Sequence, residues 1–334
     1  MRTKKVGPQA PKGAPRPPQP FFDPEDTDVL LVDAMNAFWR VANALAPEME
    51  GGGVRTDIAF LALKHIIMAR KICGGECDIL IVFEGGRSIR KKIDPEYKAH
   101  RSRGDDEAFQ ELAQEVYRQV RIFKEIIHHS GWGIVTPEEG YEADDGIYTL
   151  AKKLYEKDLN VTVLSNDKDL YGCMRPLDYG NLAVPTDPFV GLLRPRKAGS
   201  IKFVDSKLLH KTLGLWPDQI ANWKALAGDP SDGYKGVPGV GEKTAAKWLA
   251  NHRTLLCLLE AIQKGVVRGK RGHATQESFK DGTIERCFEL ARLRECKYHI
   301  AGGDPSYVSL VQSLKDYEMK TMLVPGNLSH LTLG

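Results

Sequence analysis

The sequence predicts an α/β fold, a mostly parallel sheet flanked by helices and followed by a helical C-terminal lobe. Three observations carry this. Short apolar runs read as buried strands at 28–33 (DVLLVD), 78–84 (DILIVFE), 133–136 (GIVT) and 160–165 (NVTVLS), with 201–204 (IKFV) a weaker one. Stretches of helical composition fall between them at 57–72, 105–129 and 144–157. Apolar strands alternating with helices argue for a parallel sheet covered on both faces. After about 206 the strand signal fades, and LLHKTLGL, PDQIANWKALAG, GEKTAAKWLANH and 284–297 read as helices joined by Gly/Pro-rich turns.

Residues 1 to about 26 read as a disordered tail. Six prolines and five Lys/Arg fall in the first 20 positions, with almost nothing to bury. Repeated proline defeats the amphipathic helix of a transit peptide, and there is no apolar core of the signal-peptide kind. No run approaches the roughly 18 apolar residues of a membrane span. The chain has 334 residues, 42% hydrophobic and 27% charged, as in ordinary globular proteins. Six irregularly spaced cysteines read as reduced thiols of an intracellular, cytoplasmic protein. Cys73 and Cys77 enclose GGE, but no second Cys/His pair lies at zinc-finger spacing.

Acids gather at the carboxyl ends of the predicted strands, where ligand sites of open α/β sheets collect. Asp33 ends VLLVD and Glu84 ends ILIVFE. Glu142, Asp144 and Asp145 (YEADD) follow GIVT, and Asp167 and Asp169 (SNDKD) follow VTVLS. Helix capping explains any one of these, but gives no reason for acids after four strands. Hard divalent ions such as Mg²⁺ or Mn²⁺ take oxygen ligands, and two of them can clamp a phosphodiester and activate water. Metal-assisted phosphodiester hydrolysis is therefore the leading reaction class, with solvated acids after strands the plain alternative.

A second acidic pair, Asp229 and Asp232, lies in GDPSDG, which by itself reads as a turn. It is followed by GVPGVGEKTAAKWL (236–249), a Gly-rich turn opening into a helix whose N-terminus suits a phosphate backbone. Lys243 and Lys247 stand one turn apart there. G-x-P-G-x-G-x-K-T resembles a helix–hairpin–helix element and not an NTPase phosphate loop, since Glu242 stands where that motif needs Lys. Net charge is only +3, yet 87–103 holds seven basic residues (Arg87, Arg90, Lys91, Lys92, Lys98, Arg101 and Arg103) against two acids. Such a run is by default a solvated face. With Tyr97 interleaved it also suits phosphate contact plus stacking on a base. KGVVRGKRG (264–272) extends this basic character, or is a solvated loop.

LLVDAMN, VFEGGRSIRKK, PEYKAHR, YEADD, SNDKDL, GDPSDG and GVPGVGEKTAA occur in the order found in the 5′-nuclease (flap endonuclease) family, which these residues resemble over roughly 28–250. That family includes bacteriophage 5′ exonucleases/ribonuclease H and the 5′-nuclease domain of bacterial DNA polymerase I. The resemblance implies a PIN-like (resolvase-like) core at 27–205 and a helical arch at about 86–130. It also implies a DNA-binding lobe at 206–334 with a helix-three-turn-helix at about 220–251. Asp33, Glu84, Glu142 and Asp144 resemble ligands of a first metal site. Asp145, Asp167, Asp169, Asp229 and Asp232 resemble ligands and supporting acids of a second. Lys98 and Arg101 match arch residues that assist at the scissile phosphate, Tyr97 an aromatic that stacks on the terminal base, and Lys224 a basic residue preceding the acidic pair. Gly239, Gly241 and Lys243 match the duplex-binding hairpin. The family usually has Asp where this chain has Glu84, so metal binding is expected with shifted geometry.

The implied protein is a monomeric, free-standing enzyme of phage type. It uses two Mg²⁺ (or Mn²⁺), with K⁺ at the hairpin, and acts on DNA with a 5′ single-stranded flap or end, or on RNA–DNA hybrid. A non-catalytic junction-binding module of the same fold is the alternative, but it leaves the acids unexplained. A Toprim-like reading of DKD (167–169) has no place for YEADD or the hairpin.

Overall fold

The computed structural model describes residues 19–44, 50–51, 54–99, 107–175, 188–195 and 200–332. Arg101, Arg103 and most of the N-terminal tail lie outside them. Seven strands form one sheet: β1 (Val29–Asp33), β2 (Asp78–Val82), β3 (Gly133–Pro137), β4 (Val161–Leu164), β5 (Val190–Pro195), β6 (Ile201–Val204) and β7 (Tyr298–Ala301). Their order is β7-β3-β2-β1-β4-β5-β6. The five central strands are parallel, and the edge strands β6 and β7 run antiparallel to their neighbours. From β1 the chain moves outward through β2 and β3, then crosses back to β4 on the other side. The switch in strand order therefore lies between β1 and β4, where the ligand crevice of an open α/β sheet forms at the carboxyl ends of the strands.

The helices are α1 (Ala34–Ala42), α2 (Asp57–Ile72), α3 (Arg90–Ile93), α4 (Glu107–Ser130), α5 (Ala143–Tyr155), α6 (Ser206–Leu213), α7 (Ile220–Ala227), α8 (Glu242–His252), α9 (Leu255–Gln263), α10 (Lys270–Lys280), α11 (Thr283–Ala291), α12 (Tyr307–Asp316) and α13 (Pro325–Leu328). β1 is buried throughout because successive side chains feed opposite faces. Leu30 and Val32 join a core with α1, α2, α4 and α12. Val29 and Leu31 join a second core with α5 to α8 and α11. No described helix is long and apolar enough to cross a membrane.

Three elements, β5, β7 and α12, differ from the sequence reading. β5 (VGLLRP) goes unpredicted because Gly191 and Pro195 interrupt its apolar pattern. Gly191 is needed there, since a Cβ would strike the Phe203 ring. The C-terminal residues do not all stay in the helical lobe. β7 pairs with β3 and α12 packs on α4, so the end of the chain returns to the sheet domain.

Candidate active site

Each acid is placed by ordinary local structure. Asp33 ends β1 and N-caps α1, accepting from Asn36 N–H at 3.1 Å. Asp167 follows β4 and accepts from Asp169 N–H at 2.9 Å, which fixes the turn between them. Ser165 ties the two strand ends together: its hydroxyl donates to Asp33 Oδ2 at 2.8 Å and accepts from Asp167 N–H at 3.0 Å. Asn36 adds a second tie by accepting from Asn166 N–H at 3.0 Å. Sequence reasoning missed Ser165 and Asn36. Their signal was position alone, a hydroxyl and an amide beside acids at strand ends.

Two carboxylate triads result. One oxygen from each of Asp144, Asp167 and Asp169 lies within 4.8 Å of the others, and Asp169 forms a second such triad with Asp229 and Asp232. Asp169 is shared. Two full charges 4.8 Å apart repel by about 3 kcal/mol at an effective dielectric of ~20. A helix N-terminus returns only about 0.3–1 kcal/mol per acid, so capping cannot hold this group together.

The protein's own cations neutralise only part of the cluster. Lys224, buried on α7, pairs with both Asp169 and Asp229. Burial works against the Asp229 charge, but Lys224 outweighs it and its pKa falls. Lys98 Nζ lies 2.8 Å from Glu142 Oε2 and 3.9 Å from Asp232 Oδ1. Burial again opposes the Glu142 charge, yet Lys98 and Arg90 hold that carboxyl at about 2. Asp33, Asp144 and Asp167 form no ion pair among the described residues. Burial pushes Asp33 up to about 7 despite its two hydrogen bonds, with Asp167 and Glu84 adding to the rise. Asp144 is raised well above the ordinary range, by burial first and then by Asp167 and Asp33. The all-oxygen donors and this missing countercharge fit hard divalent cations.

YEADD thus divides its work. Asp144 faces the first triad. Asp145, fully buried, accepts a two-pronged bond from Arg90 at 2.7 and 2.8 Å, plus the N–H groups of Glu142 (3.2 Å) and Arg294 (2.9 Å). Its oxygens are spent, so the expectation of Asp145 as a metal ligand is corrected to a structural pairing. The reading of Arg90 as a DNA contact is corrected likewise. Its guanidinium is buried and also donates to Leu290 O (2.9 Å) and Arg292 O (2.9 Å), joining α3, α5 and the end of α11. Glu142 belongs with Lys98 rather than with the triads. Glu84 is an exposed residue whose carboxylate leans back to accept from Ala143 N–H at 2.9 Å, outside both triads. The surrounding protein, then the Glu142 charge, raises its pKa.

Tyr97 is 2% exposed, and its hydroxyl donates to Asp232 Oδ2 at 2.9 Å. A ring so placed cannot stack on a base, and the stacking expectation is corrected for this conformation. Lys98 follows in the left-handed region (φ 55), which a side chain occupies at a cost. Its N–H to Asp232 O (2.8 Å) and its ammonium to Glu142 hold it there. Arg87 and Lys92 are exposed and Lys91 half-buried, as phosphate contacts would need.

Beside the triads opens a cavity of about 510 Å³ whose walls include Asp167, Lys168, Lys224, Asp229 and Glu242. Lys168 spans it to Glu242 at the start of α8, 2.8 Å away, so the acids and the hairpin share one cleft. Gly228 (φ 76) and Gly236 pack backbone to backbone at the foot of the hairpin, where any Cβ would collide. Gly239 is left-handed (φ 77). Gly241, the N-cap of α8, differs: a Cβ there meets nothing within 4 Å. The fold does not demand glycine at 241, whose bare backbone leaves the helix N-terminus open to a ligand. Lys243 and Lys247 are exposed on α8.

Comparison with known proteins agrees with this fold. The family model for the N-terminal resolvase-like domain of 5′-3′ exonucleases matches residues 28–180, and that for their C-terminal SAM fold matches 215–299. DNA polymerase I of Mycobacterium bovis is 38% identical over 279 residues, 82% of this chain; the chain spans 28% of that polymerase's length. A 5′-3′ exonuclease of Bacillus subtilis is 30% identical over 254 residues, covering 74% of this chain and 78% of the relative. Among solved structures, the bacteriophage T5 5′-exonuclease with divalent metal ions (zinc) bound superposes with a TM-score of 0.61 at 17% identity. That match covers 91% of this chain and 98% of the other, a likeness of fold.

Proposed function

The chain belongs to the 5′-3′ exonuclease family, matching its resolvase-like and SAM-fold halves alike, and from that membership we propose that it is a structure-specific 5′-nuclease. It hydrolyses phosphodiesters at 5′ flaps, nicks or RNA primers in DNA replication and repair, by a two-metal mechanism. The observation that carries this reading is the pair of carboxylate triads sharing Asp169 at the switch point of the sheet.

Asp144, Asp167 and Asp169 would hold one divalent ion, and Asp169, Asp229 and Asp232 the other, with Mg²⁺ or Mn²⁺ the fitting choices. Such ions, when bound, supply a nucleophilic water and neutralise charge developing on the phosphate. The chain's own residues do the rest. Ser165 and Asn36 lock the acid-bearing turns, and Asp33 stands behind them as a further carboxylate. Lys98, and Arg101 by its match to the same motif, supply positive charge toward the scissile phosphate. Gly239, Gly241, Lys243 and Lys247 grip the duplex backbone without reading bases, with K⁺ held by hairpin carbonyls. Arg87, Lys91, Lys92 and Arg103 follow the 5′ strand. The enzyme acts as a monomer in the cytoplasm, which for a phage protein is that of the host.

Purified protein should cut a 5′-flap duplex near the single-strand junction in Mg²⁺ or Mn²⁺, and EDTA should stop it. A flap left intact in both ions contradicts the reading. Binding that EDTA does not alter, with no cleavage, favours a junction-binding module instead.

A further inference from the structure

A second basic wall faces α8 across a groove of about 980 Å³ in the helical lobe. One wall carries Lys243 and Lys247. The other carries Arg268, Lys270 and Arg271, from the loop after α9 and the first turn of α10. All five side chains are exposed, and none forms an ion pair with a described residue. Elsewhere in this lobe Lys264 pairs with Glu260 and Lys280 with Glu277. No acid among the described residues lines the groove, and Glu242, the acid nearest in sequence to Lys243, is turned toward Lys168. Five exposed cations lining one groove give it a positive potential that draws a polyanion.

The second wall is built rather than loose. Val266 and Val267 N–H both donate to Ala261 O, at 2.8 and 3.2 Å, and Val267 packs on the second core. Gly265 (φ 69) and Gly269 (φ 85) supply left-handed turns, and Gly272 is buried against Val267 O with no room for a Cβ. α10 then starts at Lys270 with no side-chain cap. Arg271 leans on the hairpin itself, since a Cβ at Gly239 would lie 3.8 Å from its Cγ.

We propose that Arg268, Lys270 and Arg271 form a second phosphate-binding wall, which with α8 clamps a duplex backbone beyond the hairpin's own contact. The proposal rests on the nuclease reading for its ligand, and extends it to residues outside the hairpin. Contacts of this kind carry no base specificity, and they read out as salt dependence.

The test measures binding of a 5′-flap duplex by fluorescence anisotropy across a salt series. Wild type is compared with the triple variant Arg268→Gln/Lys270→Gln/Arg271→Gln. The triple variant should bind about 10- to 100-fold more weakly at low salt. Its slope of log affinity against log salt should be shallower by about 2 to 3, at ~0.9 per lost phosphate contact. Its turnover at saturating substrate should match wild type while KM rises. Arg268→Lys/Arg271→Lys should retain wild-type affinity, and Arg271→Gln alone decides the matter if the triple variant melts earlier. An unchanged slope and affinity overturns the proposal, as does loss of binding to anionic phospholipid vesicles with duplex affinity intact. If wild type binds the duplex through these residues but cuts nothing, the catalytic reading fails and the clamp stands. If wild type cuts and the triple variant binds equally well, the clamp alone fails. A wild type that does not bind duplex overturns both.

Discussion

Three neighbouring carboxylates, Glu142, Asp144 and Asp145, take three different jobs because each meets a different countercharge. Asp145 is held by Arg90, Glu142 by Lys98 with Arg90 at 3.6 Å, and Asp144 by no ion pair among the described residues, Lys98 acting on it only at a distance. Substitution should separate them. Asp144→Asn should abolish cleavage while leaving the melting temperature and DNA affinity near wild type. Asp145→Asn strands the buried Arg90 charge and should cost about 3–5 kcal/mol in urea unfolding. Equal effects of the two on stability would contradict the division. The sequence showed that acids cluster here, but not which of them is spent on structure. Asp145 finds its partner 55 residues upstream, within a run that reads as solvated cations. Asp33 gives a prediction in pH. Its carboxyl is raised from 3.8 to about 7 on folding, so between those values the folded chain binds more protons than the unfolded chain. That contribution to stability is complete below about pH 4 and is lost as pH rises through 7. Metal-free protein should therefore melt at a lower temperature at pH 7.5 than at pH 5. Asp33→Asn should flatten the decline and Mg²⁺ should offset it; a fall unaltered by either contradicts the assignment.

At the scale of elements, strands and turns put the acids in reach of one another. β1 and β4 lie side by side at the switch in strand order, so residues more than 130 positions apart, Asp33 and Ser165, become hydrogen-bonded neighbours. Four of the five central strands were legible because burial on both faces leaves continuous apolar runs, while Gly191 and Pro195 interrupt the run of β5. The edge strand β7 was not, since only one of its sides is paired and its residues are mostly exposed, as in a loop. The hairpin glycines divide in the same physical way. Gly236→Ala would drive a methyl into the backbone of Gly228 and Leu226 and displace the Asp229–Asp232 turn, costing about 1–3 kcal/mol of stability. Gly241→Ala should leave stability unchanged and weaken duplex binding, as calorimetry and anisotropy would show. Equal destabilisation by both would mean that Gly241 serves the fold.

For the whole molecule, the sheet domain carries the first triad and the helical lobe brings Asp229 and Asp232 to complete the second, so the second triad forms only where the two halves meet. That division was readable in outline from strand-end acids followed by a Gly-rich hairpin. The return of the C-terminal residues to the sheet was not, because β7 and α12 are specified by contacts with β3 and α4 and not by local pattern. The central claim is that Asp169 joins two metal positions. Mn²⁺ titration followed by water-proton relaxation, read alongside flap cleavage, tests it most directly. Wild type should take up two ions per chain, Asp144→Asn should keep one, and Asp169→Asn should weaken both and lose cleavage. An Asp169→Asn protein that binds two ions with wild-type affinity and still cuts the flap would contradict the account.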